Sequence, residues 1–188
     1  AKAAPDGYTI HLTSIGTHGV GLHLFSKLPY DAVKDFAPII HINTYPLIMA
    51  VNRDVPVASV KDLIALAKAK PGTLNLASAG NASPPHLAGE LFKAATGVNL
   101  VHVPYKGSAP AVVALVAGDM QVMLDGVPSL LTHIKSGRLR PLAAASAKPN
   151  PLLRDLPTFA ELGYKEVDVG LWYGLLAPAK TPNAVINL

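Results

Sequence analysis

Residues 74–97 read LNLASAGNASPPHLAGELFKAATG. Leu74–Ser78 is a short apolar run of strand length, and Pro85–Thr96 is of helix length. Gly97 stands where a left-handed C-terminal cap favours a residue without a Cβ. Between strand and helix lies a loop of small residues, Ala79-Gly80-Asn81-Ala82-Ser83, after which Pro84-Pro85 fix the helix entry. Such a step from strand through loop to helix is the elementary unit of α/β architecture.

The same alternation extends in both directions. Further strands are expected at Tyr8–Ser14, Ile39–Ile42, Leu47–Val51, Leu100–Val103, Gln121–Leu124, Leu139–Ser146 and Val169–Leu176. Ser59–Lys70 opens with an S-x-x-D capping pattern and stops at Pro71-Gly72, with Val60, Leu63, Ile64 and Ala67 on one face. Helices are also expected at Ser108–Ala117 and Pro128–Ser136, each followed by glycine. The chain opens AKAAPDGYTI, with no leader pattern before a turn at Pro5-Asp6-Gly7, and ends at PNAVINL as a helix begins. It therefore reads as a middle piece, with half a site expected to lie elsewhere.

Composition narrows the function classes. The 188 residues are 50% hydrophobic and 15% charged, which excludes a solvated tail. No uncharged apolar run reaches the roughly 18 residues of a membrane-spanning helix. The absence of cysteine removes disulfides, thiolate metal sites and cysteine nucleophiles. The 16 basic residues against 12 acidic ones are scattered, and aromatics are only 6%, so a nucleic-acid surface is not expected. A mild positive field suited to small anions fits the balance.

Enzyme templates fail. There is no G-x-S-x-G elbow, no phosphate loop with its G-K-[ST] ending and no H-E-x-x-H helix. His11, His41, His86 and His102 are read as having no carboxylate or histidine at ligand spacing on a shared helix face, so no metal site is expected. Asp119 and Asp125 lie on either side of a strand, which leaves no carboxylate pair for acid–base work. No catalytic residue and no cofactor are assigned.

What remains is a set of polar loops at strand ends, where open α/β sheets bind ligands. The loop around Ser78, Ala79, Gly80, Asn81, Ala82 and Ser83 combines small side chains, backbone N–H groups and a helix N-terminus, a fit for an anion. It equally fits an ordinary loop with Ser83 as helix cap. Ser14, Gly16, Thr17 and His18 follow the first strand in the same manner. Tyr105-Lys106-Gly107-Ser108 follows another, with Ser108 expected as N-cap. Asp125 either meets a ligand ammonium or braces the following loop.

These residues belong to segments that resemble the Bug-type periplasmic solute-binding proteins, the receptors of tripartite tricarboxylate transporters. The matching segments are PDGYTI (5–10), KLPYDAVKDFAPI (27–39), DLIALAKAKPGTLNLASAGNASPPHLAGELFKAATG (62–97), HVPYKGSAPAV (102–112), IKSGRLRPLA (134–143), LPTFAELGY (156–164) and WYGLLAPAKTP (172–182). They stand in family order over nearly the whole chain. The resemblance implies a type II-like periplasmic binding protein fold, with two α/β domains joined by hinge strands. By that analogy residues 1–46 and 177–188 form a partial first domain, 47–51 and 171–176 the hinge strands, and 52–171 the second domain. It implies a non-enzymatic, periplasmic receptor that holds a dicarboxylate, amino acid or aromatic acid and presents it to membrane transporter subunits. Ser14 and Thr17 would then face the 78–83 loop from the other domain, and truncation would alter the oligomeric state. The family commonly has glycine where this chain has Ala82 and Lys180. Two other readings stay open: the effector-binding domain of a transcriptional regulator, and a small α/β enzyme with His86 or His18 as base.

Overall fold

A computed structural model describes residues 1–24 and 27–187. The chain divides into two compact units, residues 1–44 with 171–188, and residues 45–170.

The larger unit is built on β3 (Asn75–Ser78), β4 (Val101–Pro104), β5 (Val122–Gly126), β6 (Leu139–Ala145) and the second half of β2 (Phe36–Asn52). β3 pairs in parallel with both β4 and β5, while β2 runs antiparallel to β5 and β6, with Leu47 opposite Gly126 and Ala145. The order within this unit is thus β6-β2-β5-β3-β4. Helices α3 (Pro84–Thr96), α4 (Ser108–Ala117) and α5 (Val127–Lys135) each follow a strand and lead to the next. That repetition places the carboxyl ends of β3, β4 and β5 along one edge of the sheet.

Both faces are covered, so the strands read as continuous apolar runs rather than alternating ones. Ile48, Ala77, Met123 and Ala144 pack with Ala111 and Leu115 of α4 and Val127 and Leu130 of α5. On the other face, Gly89 of α3 lies so close to Leu76 that a Cβ there would collide with it. Phe92 of α3 and Phe159 are fully buried, their ring centres 5.7 Å apart.

Local chemistry explains the helix starts. Helix α2 (Val60–Ala69) begins after Ser59, whose Oγ accepts the Asp62 N–H at 3.2 Å, while the Asp62 carboxylate accepts the Ser59 hydroxyl and the Ala58 N–H. Ser83 caps α3, and Gly97 closes it in the left-handed region at φ 69°. Ser108 is not the cap of α4. Gly107 is, and Ser108 is the first helical residue, because Gly107 takes a φ of 109° to turn the chain into the helix.

The smaller unit holds β1 (His11–Ser14), the helical turns Gly16–Val20 and α1 (Gly21–Leu24), the first half of β2, β7 (Gly170–Pro178) and α6 (Asn183–Ile186). β1 pairs antiparallel with β7, from His11 opposite Leu176 to Ser14 opposite Tyr173, and β7 lies beside β2.

Two strand expectations change. The first strand begins at His11 rather than Tyr8: Asp6 Oδ1 accepts the Tyr8 N–H in a local turn, and the β7 register ends at Leu176. Ile39–Ile42 and Leu47–Val51 are parts of one strand, because Pro38 and Pro46 continue it instead of breaking it. Among the described residues, no helix is long and apolar enough to cross a membrane.

Candidate functional site

Two loops, after β3 and β4, and the direct β5–α5 junction share the edge where these strands end. Tyr105 N–H donates to Ser78 O at 3.0 Å, and Gly107 N–H donates to Ala79 O at 3.0 Å, so the loops after β3 and β4 are tied together. Gly80 has φ 129° and lies against Tyr105 O, where a Cβ would stand 3.1 Å from that oxygen. Only glycine meets both conditions.

Within residues 78–83 most donors turn inward. Gly80 N–H donates to Ser78 Oγ at 3.2 Å, Ala82 N–H to His86 Nδ1 at 3.1 Å, and Ser83 N–H to Gly80 O at 3.2 Å. Ser83 Oγ donates to Gly80 O at 2.7 Å and accepts the His86 N–H at 3.4 Å. Pro84 and Pro85 carry no N–H. Asn81 is exposed at the tip, and its N–H meets no partner among the described residues.

Asp125, the last residue but one of β5, lies on the α4–α5 face opposite Ile48 and is 2% exposed. Its Oδ1 accepts the Gly126 N–H at 2.8 Å, whereas Oδ2 is buried without a hydrogen-bond partner. Burial pushes this carboxyl above its ordinary range. The Gly126 N–H and the hydroxyls of Ser108 and Ser129 pull the other way, although neither hydroxyl completes a hydrogen bond to Oδ2.

In the smaller unit, Ser14, Gly16, Thr17 and His18 form one turn. Thr17 Oγ1 donates to Ser14 O at 3.1 Å, and the Tyr30 hydroxyl donates to Thr17 O at 2.8 Å. His18 Nδ1 is hydrogen-bonded to Thr13 Oγ1, and its ring packs against Phe36 and Tyr30 at 4.7 and 5.9 Å. Its Nε2 is buried without a partner. Burial holds this imidazole below its usual range, with His11 adding to the effect. Thr13, His18, Phe36, Ile40, Trp172 and Leu176 contribute to the lining of an apolar cavity of about 360 Å³ beside this turn.

Two residues have more company than their spacing suggested. His86 does share a helix face with a carboxylate: helix α3 brings its Nε2 to 3.7 Å from Glu90 Oε1, one turn on. The His102 ring stacks on it at 3.9 Å. The i, i+4 spacing of His86 and Glu90 was visible in the sequence, but the stack depends on the β3–β4 register. Among the described residues, no group of three histidines, aspartates or glutamates could hold a metal ion.

Comparison with known proteins gives this edge a context. The chain is 39% identical over 189 residues to the protein BugT of Bordetella pertussis, covering all of this chain and 58% of that protein. It superposes on a protein of Rhodopseudomonas palustris solved with adipate at a TM-score of 0.94 and 36% identity, covering 99% of this chain and 62% of the other. It likewise superposes on MatC of the same organism with bound malate, at 0.91 and 31%, covering 98% and 63%. The periplasmic binding protein BugD matches at 0.93 and 35%, covering 99% and 62%. The chain thus spans about three fifths of the length of these relatives. The model of the tripartite tricarboxylate transporter family receptors, a family of receptors rather than enzymes, matches residues 1–188. By that match and these relatives, the chain belongs to the tripartite tricarboxylate transporter receptor family.

Proposed function

We propose that this protein is a periplasmic receptor that captures a small organic carboxylate and delivers it to the membrane subunits of a tripartite tricarboxylate transporter. The observation that carries this reading is the 78–83 loop: an exposed Asn81 N–H and exchangeable amides at the head of α3, beside the loop that follows β4. Relatives with bound adipate and malate support the ligand class. Neutral donors suit capture and release, because no counter-charge is stranded when the anion leaves.

On this reading Ser78, Ala79, Gly80, Asn81, Ala82 and Ser83 hold a carboxylate. Ser14, Gly16, Thr17 and His18 are a second ligand-contacting turn. Asp125, whose Oδ2 is unengaged, takes a hydrogen-bond donor of the solute. Affinity is expected in the micromolar range, near −8 kcal/mol.

Titration calorimetry with malate, adipate and monocarboxylates tests this. Gly80→Asp would introduce a like charge but also strain a φ of 129°. Asn81→Asp adds the charge at an exposed position and is the cleaner variant. It should weaken the best ligand by about tenfold or more, equivalent to about 1.4 kcal/mol. Unchanged affinity in Asn81→Asp would leave the loop as a helix cap alone.

A further inference from the structure

Two imidazoles hold the 79–83 loop. His86, in the first turn of α3, accepts the Ala82 N–H on Nδ1 at 3.1 Å. His102, opposite Leu76 in the β3–β4 register, places Nε2 2.7 Å from Ser78 Oγ. The rings lie face to face, their centres 3.9 Å apart and their planes within 13°.

The hydrogen-bond pattern fixes the proton position on His86, whose Nδ1 must be bare to accept the Ala82 N–H. Ser78 Oγ accepts the Gly80 N–H, and its hydroxyl has both His102 Nε2 at 2.7 Å and Gly80 O at 3.2 Å within reach. His86 thus acts as an acceptor toward the loop, while the Ser78–His102 bond can run in either direction. A proton on His102 can be answered, because the Ser78 hydroxyl can turn to Gly80 O at 3.2 Å. A proton on His86 Nδ1 cannot, because the backbone N–H of Ala82 would face another donor.

The charged groups around the pair are few. On α3, Glu90 lies 3.7 Å from His86 Nε2, and Lys93 Nζ holds the same carboxylate oxygen at 2.8 Å. β3 and the 79–83 loop carry no ionisable side chain. Asp125 projects from the opposite face of the sheet, since Val122 rather than Met123 stands opposite Leu76. Burial first, then His86, keeps His102 below the usual imidazole range; Glu90 opposes this and Lys93 adds to it. His86 is the member of the pair beside the carboxylate. Two stacked imidazolium ions at this separation repel, so the pair takes up one proton before a second.

We propose that the His86–His102 stack is a proton-operated latch on the 79–83 loop: when His86 takes up a proton, the Ala82 N–H is released and the loop opens. The latch is closed while His86 Nδ1 is bare and opens when that nitrogen carries a proton. It stands on the loop's own hydrogen bonds and needs no ligand.

Hydrogen exchange of the labelled 188-residue chain at pH 7.5 and 5.5, expressed as protection factors, tests it. Ala82 protection should fall by about tenfold at pH 5.5, the scale of one lost hydrogen bond, while Leu76 and Ala77 keep theirs. His86→Asn offers a neutral acceptor near the Nδ1 position, so its Ala82 protection should be equal at the two pH values. His102→Gln keeps an acceptor near Nε2 without a charge and should retain the parent's drop. The proposal is overturned by unchanged Ala82 protection in the parent, by a persisting drop in His86→Asn, or by its disappearance in His102→Gln. A loss shared equally by Leu76 and Ala77 also overturns it, since that is unfolding of the strand rather than release of the loop.

Discussion

Ala82 and Lys180 have φ angles of 63° and 70°, and among the described residues they are the non-glycine positions in the left-handed region. A Cβ in that region crowds the backbone, at a cost of roughly 1–2 kcal/mol. Ala82→Gly and Lys180→Gly should each raise stability by about 0.5–1 kcal/mol, the strain relieved less the extra entropy of an unfolded glycine. Denaturant midpoints would check this, and a destabilised glycine variant at either position would show that the strain is not there. Asp125 makes a second case at this scale. Its carboxyl is raised above the ordinary range, mainly by burial, so the fold favours the neutral form. The stability it contributes is fully present below the unfolded value near 3.9, and is lost as pH rises through the raised folded value. Asp125→Asn stays neutral, so it should match the parent near pH 4 and be the more stable of the two once pH has risen through the raised folded value. A difference that is flat across that range would mean that the buried Oδ2 has found a partner in solution.

Helix α3 and strand β3 meet through Gly89, where a Cβ would run into the fully buried Leu76. Gly89→Val should therefore cost about 2 kcal/mol or more, overpacking outweighing the gain in helix propensity. Thermal melting checks this, and a variant as stable as the parent would mean that the sheet yields at Leu76. Elements of this kind were largely legible, because their causes are local. Ser59 with Asp62, and Ser83 before two prolines, cap helices through atoms within four residues. Proline misled at β2: Pro46 suggests a break, yet the strand continues through it, and its registers with β5 and β6 begin at Leu47. The candidate loop was legible as a segment but not in its hydrogen bonding. Small residues mark where an anion can approach, whereas the engagement of Ala82 N–H by His86 follows from the turn itself. The His86–His102 stack was out of reach for a different reason: it needs His102 beside Leu76, a register that no local pattern encodes.

The two units differ in how much apolar surface they bury. In the larger one, Leu47–Val51, Leu76, Ala77, Val122–Leu124 and Ala143–Ala145 are all without exposed surface. In the smaller one, Tyr8, Ile10, Leu12 and Ile40 are 94%, 61%, 58% and 59% exposed. A large apolar side chain brings roughly 1.5–3 kcal/mol when fully buried, so each of these forgoes most of that gain. Local opening in the smaller unit should then need less free energy than opening of the larger unit's core. Hydrogen exchange of the 188-residue chain at neutral pH should show β1 and β7 exchanging well before β3 and β5. Two forgone burials alone correspond to about 3 kcal/mol, or roughly a hundredfold in protection. The difference should persist when denaturant is added, with the smaller unit losing protection at the lower concentration. Equal protection of His11–Ser14 and Asn75–Ser78 would contradict this and would require the exposed face of the smaller unit to be covered in solution. Light scattering would then distinguish cover by a second copy from rearrangement within one chain, because only the former depends on protein concentration.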